Sequence, residues 1–339
     1  MEPVFRQPGK CFRPFSQTAQ VTCRGCSLQL QKVVTDFGAD HAFGKVPQKL
    51  HEHYGITLSS STIRRITGVH AQRIDDTHRR EQKRPDKAGC AVLIGEMDGS
   101  MIPIVEIDED SQDKRKNKKL SWKEAKLCLT HQPGSLTPRF DGIFQGTVKD
   151  AGQCWFDCAL HNGFGKNTYL HAVGDGVPWI AEQVEHWFGA QGDYLIDFYH
   201  LCEYLAAAAP YCVADKDAEK IWFKQQKQAI KQGNRHQVMK ALMPYLEPLS
   251  CKSKKTPVRD CWRYLKNRPD QFNYPKALEK GLPIGSGEIE SAHRYVIQER
   301  LKLPGAWWKP EQAQHMLTLR INRANHEWDT YWAELRMAA

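Results

Sequence analysis

The alternation of apolar and polar positions divides the chain into an irregular leader over residues 1–35, a helical stretch, a strand-rich middle and a mostly helical remainder. In residues 43–54, Val46, Leu50 and Tyr54 fall four apart, on one face of a helix. Gly55 suits its end. Ser59, Ser60 and Ser61 form an N-cap cluster for a second helix over residues 62–74. Two short helices joined by a Gly-containing turn are the outline of a helix-turn-helix. Arg64 and Arg65 fall in the first turns of the second helix, where such a motif places its base-reading residues. A helical pair packed on a neighbouring domain has the same outline. Residues 75–88 are charged and read as a linker or an exposed helix.

The texture changes at Cys90. Residues 90–97 predict an apolar strand, Asp98-Gly99-Ser100 a turn and residues 101–107 a second strand, so an acidic residue stands at a hairpin bend. Residues 122–130 alternate as a third strand, and residues 169–173 form a fourth that ends at Gly174-Asp175-Gly176. A helix over 179–188 puts Ile180, Val184 and Trp187 on one face. A fifth strand over 194–198 runs into a helix from about Tyr199. Residues 212–280 are mostly helical and lysine-rich, in the manner of an insertion. Residues 284–301 form a long helix opened by a Gly-Ser-Gly turn, and residues 312–332 a further amphipathic helix. The order β-β-β-(α)-β-α-β-α predicts an α/β fold with a ribonuclease-H-like mixed sheet. The expected layout is a leader over 1–35, a helix-turn-helix region over 36–86, a core over 88–210 and 281–339, and a helical insertion over 211–280.

Composition narrows the partners. The 339 residues are 41% hydrophobic, enough for a sizeable core. Net charge is +9, and residues 1–86 hold 14 Lys and Arg against 8 Asp and Glu, so most of the excess base lies in the first quarter. Such a balance suits a polyanion. Residues 1–10 have no apolar signal segment, and residues 204–214, the most apolar run, are interrupted by Pro210. Eleven scattered cysteines with no export signal predict reduced thiols in the cytoplasm, and no membrane partner.

Three acids fall at telling places: Asp98 closing the first strand, Asp175 just past the fourth, and Glu290 in the first turns of a late helix. The edge of a mixed sheet can bring such points together, and three carboxylates make good oxygen ligands for Mg²⁺ or Mn²⁺. Two such ions about 4 Å apart suit phosphodiester cleavage. Each acid taken alone has a plainer reading, since Asp-Gly is a common turn dipeptide and occurs at Asp98, Asp141 and Asp175.

Residues 283–308 resemble the carboxyl-terminal glutamate motif of Kra-type bacterial insertion-sequence transposases, relatives of the Mutator group. A Gly-Ser-Gly turn precedes a helix carrying Glu290, followed by Arg300-Leu301-Lys302 and Trp307-Trp308. Residues 173–205 resemble the second-aspartate region, with Asp197-Phe198-Tyr199-His200 fitting a D-x-x-H element. Glu96-Met97-Asp98-Gly99 fits the first. The resemblance implies a DDE-type DNA transposase that works as a dimer or larger multimer on double-stranded DNA, namely terminal inverted repeats and target, near the nucleoid. Asp98, Asp175 and Glu290 would be its metal ligands, binding two Mg²⁺ or Mn²⁺ ions. Glu288 competes with Glu290, but at i and i+2 the two point to different helix faces, and the motif selects Glu290.

Other residues take secondary roles. Asp197 and His200, three apart, can share a helix face. His200 then positions a nucleotide or water with Asp197 fixing its tautomer, or the two form a structural pair. Lys114, Arg115, Lys116, Lys118 and Lys119 cluster before the third strand, with Lys123 and Lys126 within it. Lys119, Arg294, Arg300 and Lys302 are candidates for tracking phosphates, although a solvated basic face has the same composition. Trp307 can stack on an unpaired base, or pack in a core. Cys23-x-x-Cys26 has zinc-ligand spacing, with Cys11, His41, His51 and His53 nearby. No second such pair completes a ribbon, so Zn²⁺ is a minor expectation. The alternative function is a catalytically inactive DNA-binding protein or repressor derived from a transposase. A nuclease that cuts without joining is a third reading.

Overall fold

Capping serines and a left-handed glycine fix the helices of the amino-terminal region. The computed structural model describes residues 3–7, 10–78, 80, 83–107, 118–251 and 255–337. A small hairpin of β1 (Phe5–Gln7) and β2 (Lys10–Phe12) precedes a short helix, α1 (Pro14–Thr18). In α2 (Leu28–Asp40) the first turn is capped by the Ser27 hydroxyl, which accepts from Leu30 N at 3.3 Å. α3 (Val46–Tyr54) stops at Gly55, whose φ of 64° costs a glycine little. α4 (Ser60–Thr77) starts at Ser59, which accepts from Thr62 N at 3.2 Å. Val34, Val46, Leu50, Ile63 and Ile66 close a core between the three. The leader expected to be irregular through residue 35 is therefore helical from Leu28. Its inward positions, Gln31, Val34, Thr35 and Gly38, have helical spacing but only one large apolar side chain, so apolar periodicity passes over it.

The central sheet is mixed and five-stranded, in an α/β architecture. β3 (Val92–Ile107), β4 (Lys118–His131) and β5 (Arg139–Phe144) run antiparallel in sequence. After α5 (Val148–His161), β6 (Tyr169–Gly174) lies parallel to β3. After α6 (Pro178–Phe188), β7 (Gly192–Ile196) lies parallel to β6. The strand order is β5-β4-β3-β6-β7.

Two expectations fail here and offset each other. The hairpin with its bend at Asp98-Gly99-Ser100 is one continuous strand, because β4 pairs with it residue for residue from Ile94 to Ile107 and leaves no reason to turn. Gly99 serves close approach instead: a Cβ there would stand 2.3 Å from Glu124 Oε1. The third place is taken by β5, which contains Asp141-Gly142. Asp141 is no turn residue. It is buried, accepting from Arg80 Nε at 2.5 Å and Nη2 at 2.9 Å, with His78 Nε2 at 3.4 Å. Burial alone would push its carboxyl up, but His78 and Arg80 more than offset that and hold it at about 2. The supposed linker thus reaches back and clamps the sheet edge.

The rest is helical. α7 (Phe198–Cys212), α8 (Lys216–Lys231), α9 (Arg235–Leu242), α10 (Pro257–Lys266) and α11 (Tyr274–Glu279) share a core built around Leu201, Leu205, Ile230, Leu242 and Leu265. α12 (Gly287–Ala292) continues through a π-helical turn at His293–Gln298 into α13 (Glu299–Leu301). The tail is two helices, α14 (Pro310–Ala324) and α15 (Trp328–Met337), rather than one, and His326 sits between them at φ 59°. α5 and α6 cover one sheet face through Trp155, Phe156, Val184 and Phe188. On the other face Ile102, Ile104, Leu127 and Leu129 meet Ile289, Val296, Ile297 and Leu317, joined by Ala71 and Ile74 of α4. Among the described residues no helix is long and apolar enough to cross a membrane.

A buried histidine ties the first helices to the last. The side-chain amide of Gln31 donates to Thr22 Oγ1 and Cys26 O, which turns its oxygen toward His70 Nε2 at 3.0 Å. His70 therefore carries its proton on Nε2, and Nδ1 accepts from the Tyr331 hydroxyl at 2.7 Å. Burial, helped by Arg73, lowers its pKa to about 4. The folded state thus resists a proton that the unfolded chain accepts near pH 6.5. Stability from this site is complete above pH 6.5 and is lost as pH falls toward 4, by up to about 3 kcal/mol. Melting curves from pH 7.5 to 4 should fall more steeply for the wild type than for His70→Gln; parallel curves would show that the histidine takes up its proton alike in the folded and unfolded states.

Candidate active site

Strand register sets the site. Glu96 pairs with Val173 in the parallel β3–β6 ladder, so two residues further along Asp98 comes level with Asp175, just past the end of β6. Adjacent strands stand about 4.8 Å apart, which brings the two aspartates to one edge. Glu96 and Asp98, two apart on β3, share the face on which α12 lies.

α12 is pinned there by two buried carboxylates. Glu96, 1% exposed, accepts from Ile289 N at 2.7 Å in the first turn of the helix. Burial, and the nearby charges of Glu288 and Asp197, push its carboxyl up to about 8 against the hydrogen bond from Ile289. Asp197 Oδ2 accepts from Ser286 N and Ser286 Oγ, both at 2.6 Å, while Oδ1 caps α7 by accepting from Tyr199 N and His200 N at 2.6 and 3.0 Å. Gly285 is required in this loop, since a Cβ would meet the Tyr199 ring at 2.7 Å. The Gly-Ser-Gly turn is thus a strap between β7 and the glutamate helix.

The Asp175 turn is held from the helical insertion. Asp175 Oδ1 accepts from Val177 N at 2.9 Å, and its carbonyl accepts from the Tyr264 hydroxyl at 2.6 Å. Gly176 lies at φ 85°; its carbonyl accepts from Arg268 Nε at 2.7 Å and its N–H donates to the Tyr194 hydroxyl at 2.9 Å. A Cβ at Gly176 would stand 2.5 Å from that Tyr264 oxygen.

Asp98 feels the other two acids. Burial pushes the Asp98 carboxyl up to about 6, and the charges of Asp175, Glu124 and Glu290 add to the rise against a hydrogen bond from Gly99 N to Asp98 Oδ1 at 2.7 Å. As they stand, no three His, Cys, Asp or Glu side chains among the described residues are gathered closely enough to hold a metal ion. A cation beside Asp98 would offset this field of like charge. Glu288 goes elsewhere: its carboxylate lies 2.9 Å from His131 Nε2, while Glu290 is the helix acid that acts on Asp98.

Two cationic or nitrogen-bearing neighbours lie beside Asp98. Lys302, half-buried, is within its electrostatic reach. His293 Nε2 stands 3.4 Å from Asp98 Oδ2. Burial and Lys302 lower the His293 pKa to about 4, opposed by the Asp98 backbone. Sequence reading passed over Glu96 and His293. Their signals were the period of two from Glu96 to Asp98 on a strand and the spacing of three from Glu290 to His293 on a helix.

The remaining candidates separate. His200 is not paired with the Asp197 carboxylate; its Nδ1 lies 3.5 Å from Glu203, and its ring meets the edge of Tyr264. Asp197 spends its oxygens on backbone N–H groups and Ser286, so it cannot set the His200 tautomer. Arg300 is 1% exposed, lying between the Phe43 and Trp308 rings at 4.6 and 4.7 Å with Nε donating to Gly38 O at 3.0 Å. This corrects its expected place on a phosphate-tracking surface: the guanidinium bolts α2 to the glutamate helix. Trp308 is likewise core, donating to Leu301 O at 3.0 Å, whereas Trp307 is 40% exposed and meets the exposed Trp122 edge-on. Lys126 is occupied by Glu124 at 2.6 Å and Gly146 O at 3.2 Å. Arg64, Arg65, Lys119 and Arg294 are exposed. Lys114, Arg115 and Lys116 lie outside the described residues. Cys26 is buried and its thiol pushed up by burial and by Cys23, and among the described residues no third metal ligand joins the pair.

Compared with known proteins, the chain matches no family model and no curated protein.

The strap predicts a stability difference. Glu96→Ala removes the acceptor for Ile289 N and should cost about 2–3 kcal/mol, whereas Glu96→Gln keeps an acceptor and should stay within about 1 kcal/mol of wild type in denaturant melts. Equal losses would mean that the contact with α12 is not what Glu96 supplies.

Proposed function

We propose that the chain is a DDE-type DNA transposase that binds element ends and catalyses phosphodiester cleavage and strand transfer. The observation that carries this reading is the convergence on Asp98 of acids from separate elements: β3 and β6 run in register toward Asp98 and Asp175, and burial with the charges of Asp175, Glu124 and Glu290 pushes the Asp98 carboxyl up to about 6. Groups of like charge at the end of a sheet are costly unless a cation joins them. Asp98, Asp175 and Glu290 would hold two Mg²⁺ or Mn²⁺ ions. Such a pair, when bound, supplies the charge that activates a water or 3′-hydroxyl and stabilises the leaving oxygen. The strand order, with three antiparallel strands followed by two parallel ones, accords with a ribonuclease-H-like core.

The chain's own residues supply the rest. Lys302 beside Asp98 offers a positive charge to the scissile phosphate, and exposed Arg294 follows on the same helical segment. Arg64 and Arg65, exposed in the first turns of α4 after the Gly55 turn, act as the base-reading or phosphate-contacting end of a helix-turn-helix. Exposed Lys119 and Trp307 lie toward the far end of the long β3–β4 ladder as further contacts with the duplex. Double-stranded DNA is the partner, multimers on paired ends the working form, and the nucleoid the location.

Two experiments test this. On labelled DNA bearing the element's end, wild type should nick in Mg²⁺ or Mn²⁺, and Asp175→Asn should lose at least about a hundredfold in rate while still binding. Binding without cleavage by the wild type under either metal would replace this reading with that of a repressor. Arg64→Ala with Arg65→Ala should reduce the slope of log affinity against log salt by about two; an unchanged slope would move the DNA to another face.

A further inference from the structure

We propose that His293 is the positioning residue that locks the carboxylate of Asp98, an inference that rests on the acid-site reading above. The ring sits at the start of the π-helical turn, where Val296 and Ile297 are also buried against the sheet. It is 4% exposed, and neither Nδ1 nor Nε2 has a well-aligned hydrogen bond. A buried imidazole N–H left without a partner costs about 1–3 kcal/mol. A leucine would fill such a place without that cost. The nearest acidic atom is Asp98 Oδ2, 3.4 Å from Nε2.

Asp98 explains what the ring is for. Its Oδ1 accepts from Gly99 N at 2.7 Å, which fixes one oxygen from the backbone. Oδ2 faces His293 Nε2 at 3.4 Å. A small closure brings Nε2–H onto Oδ2, and polar contacts of this kind lengthen in the empty site and tighten when it is occupied. With Gly99 N on one oxygen and His293 on the other, the carboxylate no longer rotates. Each oxygen still keeps a lone pair for a cation, because a carboxylate oxygen accepts two bonds. The widened turn serves this placement: π-helical turns within α-helices recur at functional sites, and here the turn begins on the residue that faces Asp98.

The test compares His293→Gln, whose amide nitrogen reaches the position of Nε2, with His293→Asn, whose amide nitrogen reaches only that of Nδ1. Both are polar and smaller than or similar to histidine, and thermal melts establish that each folds. Mn²⁺ affinity is read from the free-ion electron paramagnetic resonance signal. The expected result is a loss of at least about tenfold for His293→Asn, with His293→Gln within about threefold of wild type. If wild type binds Mn²⁺ and the two variants bind it equally, His293 does not position Asp98 and this inference fails alone. If wild type binds no Mn²⁺, the acid-site reading fails and takes this inference with it.

Discussion

The helix that carries Glu290 is registered on the sheet by a buried carboxyl oxygen of the central strand. Glu96 reaches from the central strand to the first turn of α12 and accepts from Ile289 N, across 193 residues of intervening chain. A buried hydrogen bond of this kind contributes about 0.5–1.5 kcal/mol, but its greater effect is geometric. Because Glu96 and Asp98 share a face, the same strand that anchors the helix presents the first acid of the site to it. Asp197 repeats the device two strands away by receiving Ser286. Two buried carboxylates, neither of them a candidate ligand, therefore decide where the candidate ligands lie.

The insertion and the amino-terminal helices complete that frame from outside. Tyr264 and Arg268 of the insertion side reach the two carbonyls of the Asp175-Gly176 turn. Arg300 lies between Phe43 and Trp308, while Arg320 pairs with Asp40 and donates to the Tyr295 carbonyl, and Arg323 pairs with Asp36. Three arginines thus join α2 and its following loop to the segment from 295 to 323. Basic residues that a sequence suggests for a polyanion are here partly consumed as internal fasteners.

The parts of this arrangement legible in the sequence were those written in large apolar side chains. The α/β class, the strands around Asp98 and Asp175, and the helix over 179–188 followed from periodicity. β5 was hidden because Asp141-Gly142 reads as a turn, and the half-buried Arg80 and His78 show why an aspartate belongs in that strand. The false bend at Asp98 had the same cause, since an Asp-Gly pair looks alike whether it turns the chain or makes room for Glu124. α2 was hidden because its inward face uses Gln31, Thr35 and Gly38. The positions of the acids along the elements could be read, but not the anchors. Glu96, Tyr264 and His293 act through contacts with residues far away in sequence, which no local pattern encodes.

One consequence concerns the order in which the chain is made. β3 is complete at residue 107, yet the helices that cover its outer face begin at residue 287 and end at 337. At about 5–20 residues per second, synthesis leaves that face open for roughly ten to forty seconds. Through that interval Ile102 and Ile104 lack the contacts that Ile289, Val296, Ile297 and Leu317 later supply. The nascent protein is then both exposed to aggregation and without Glu290. The helix of Glu290 reaches the strand of Asp98 only when the carboxyl-terminal helices close over the sheet, so the geometry of the site is a property of the finished chain.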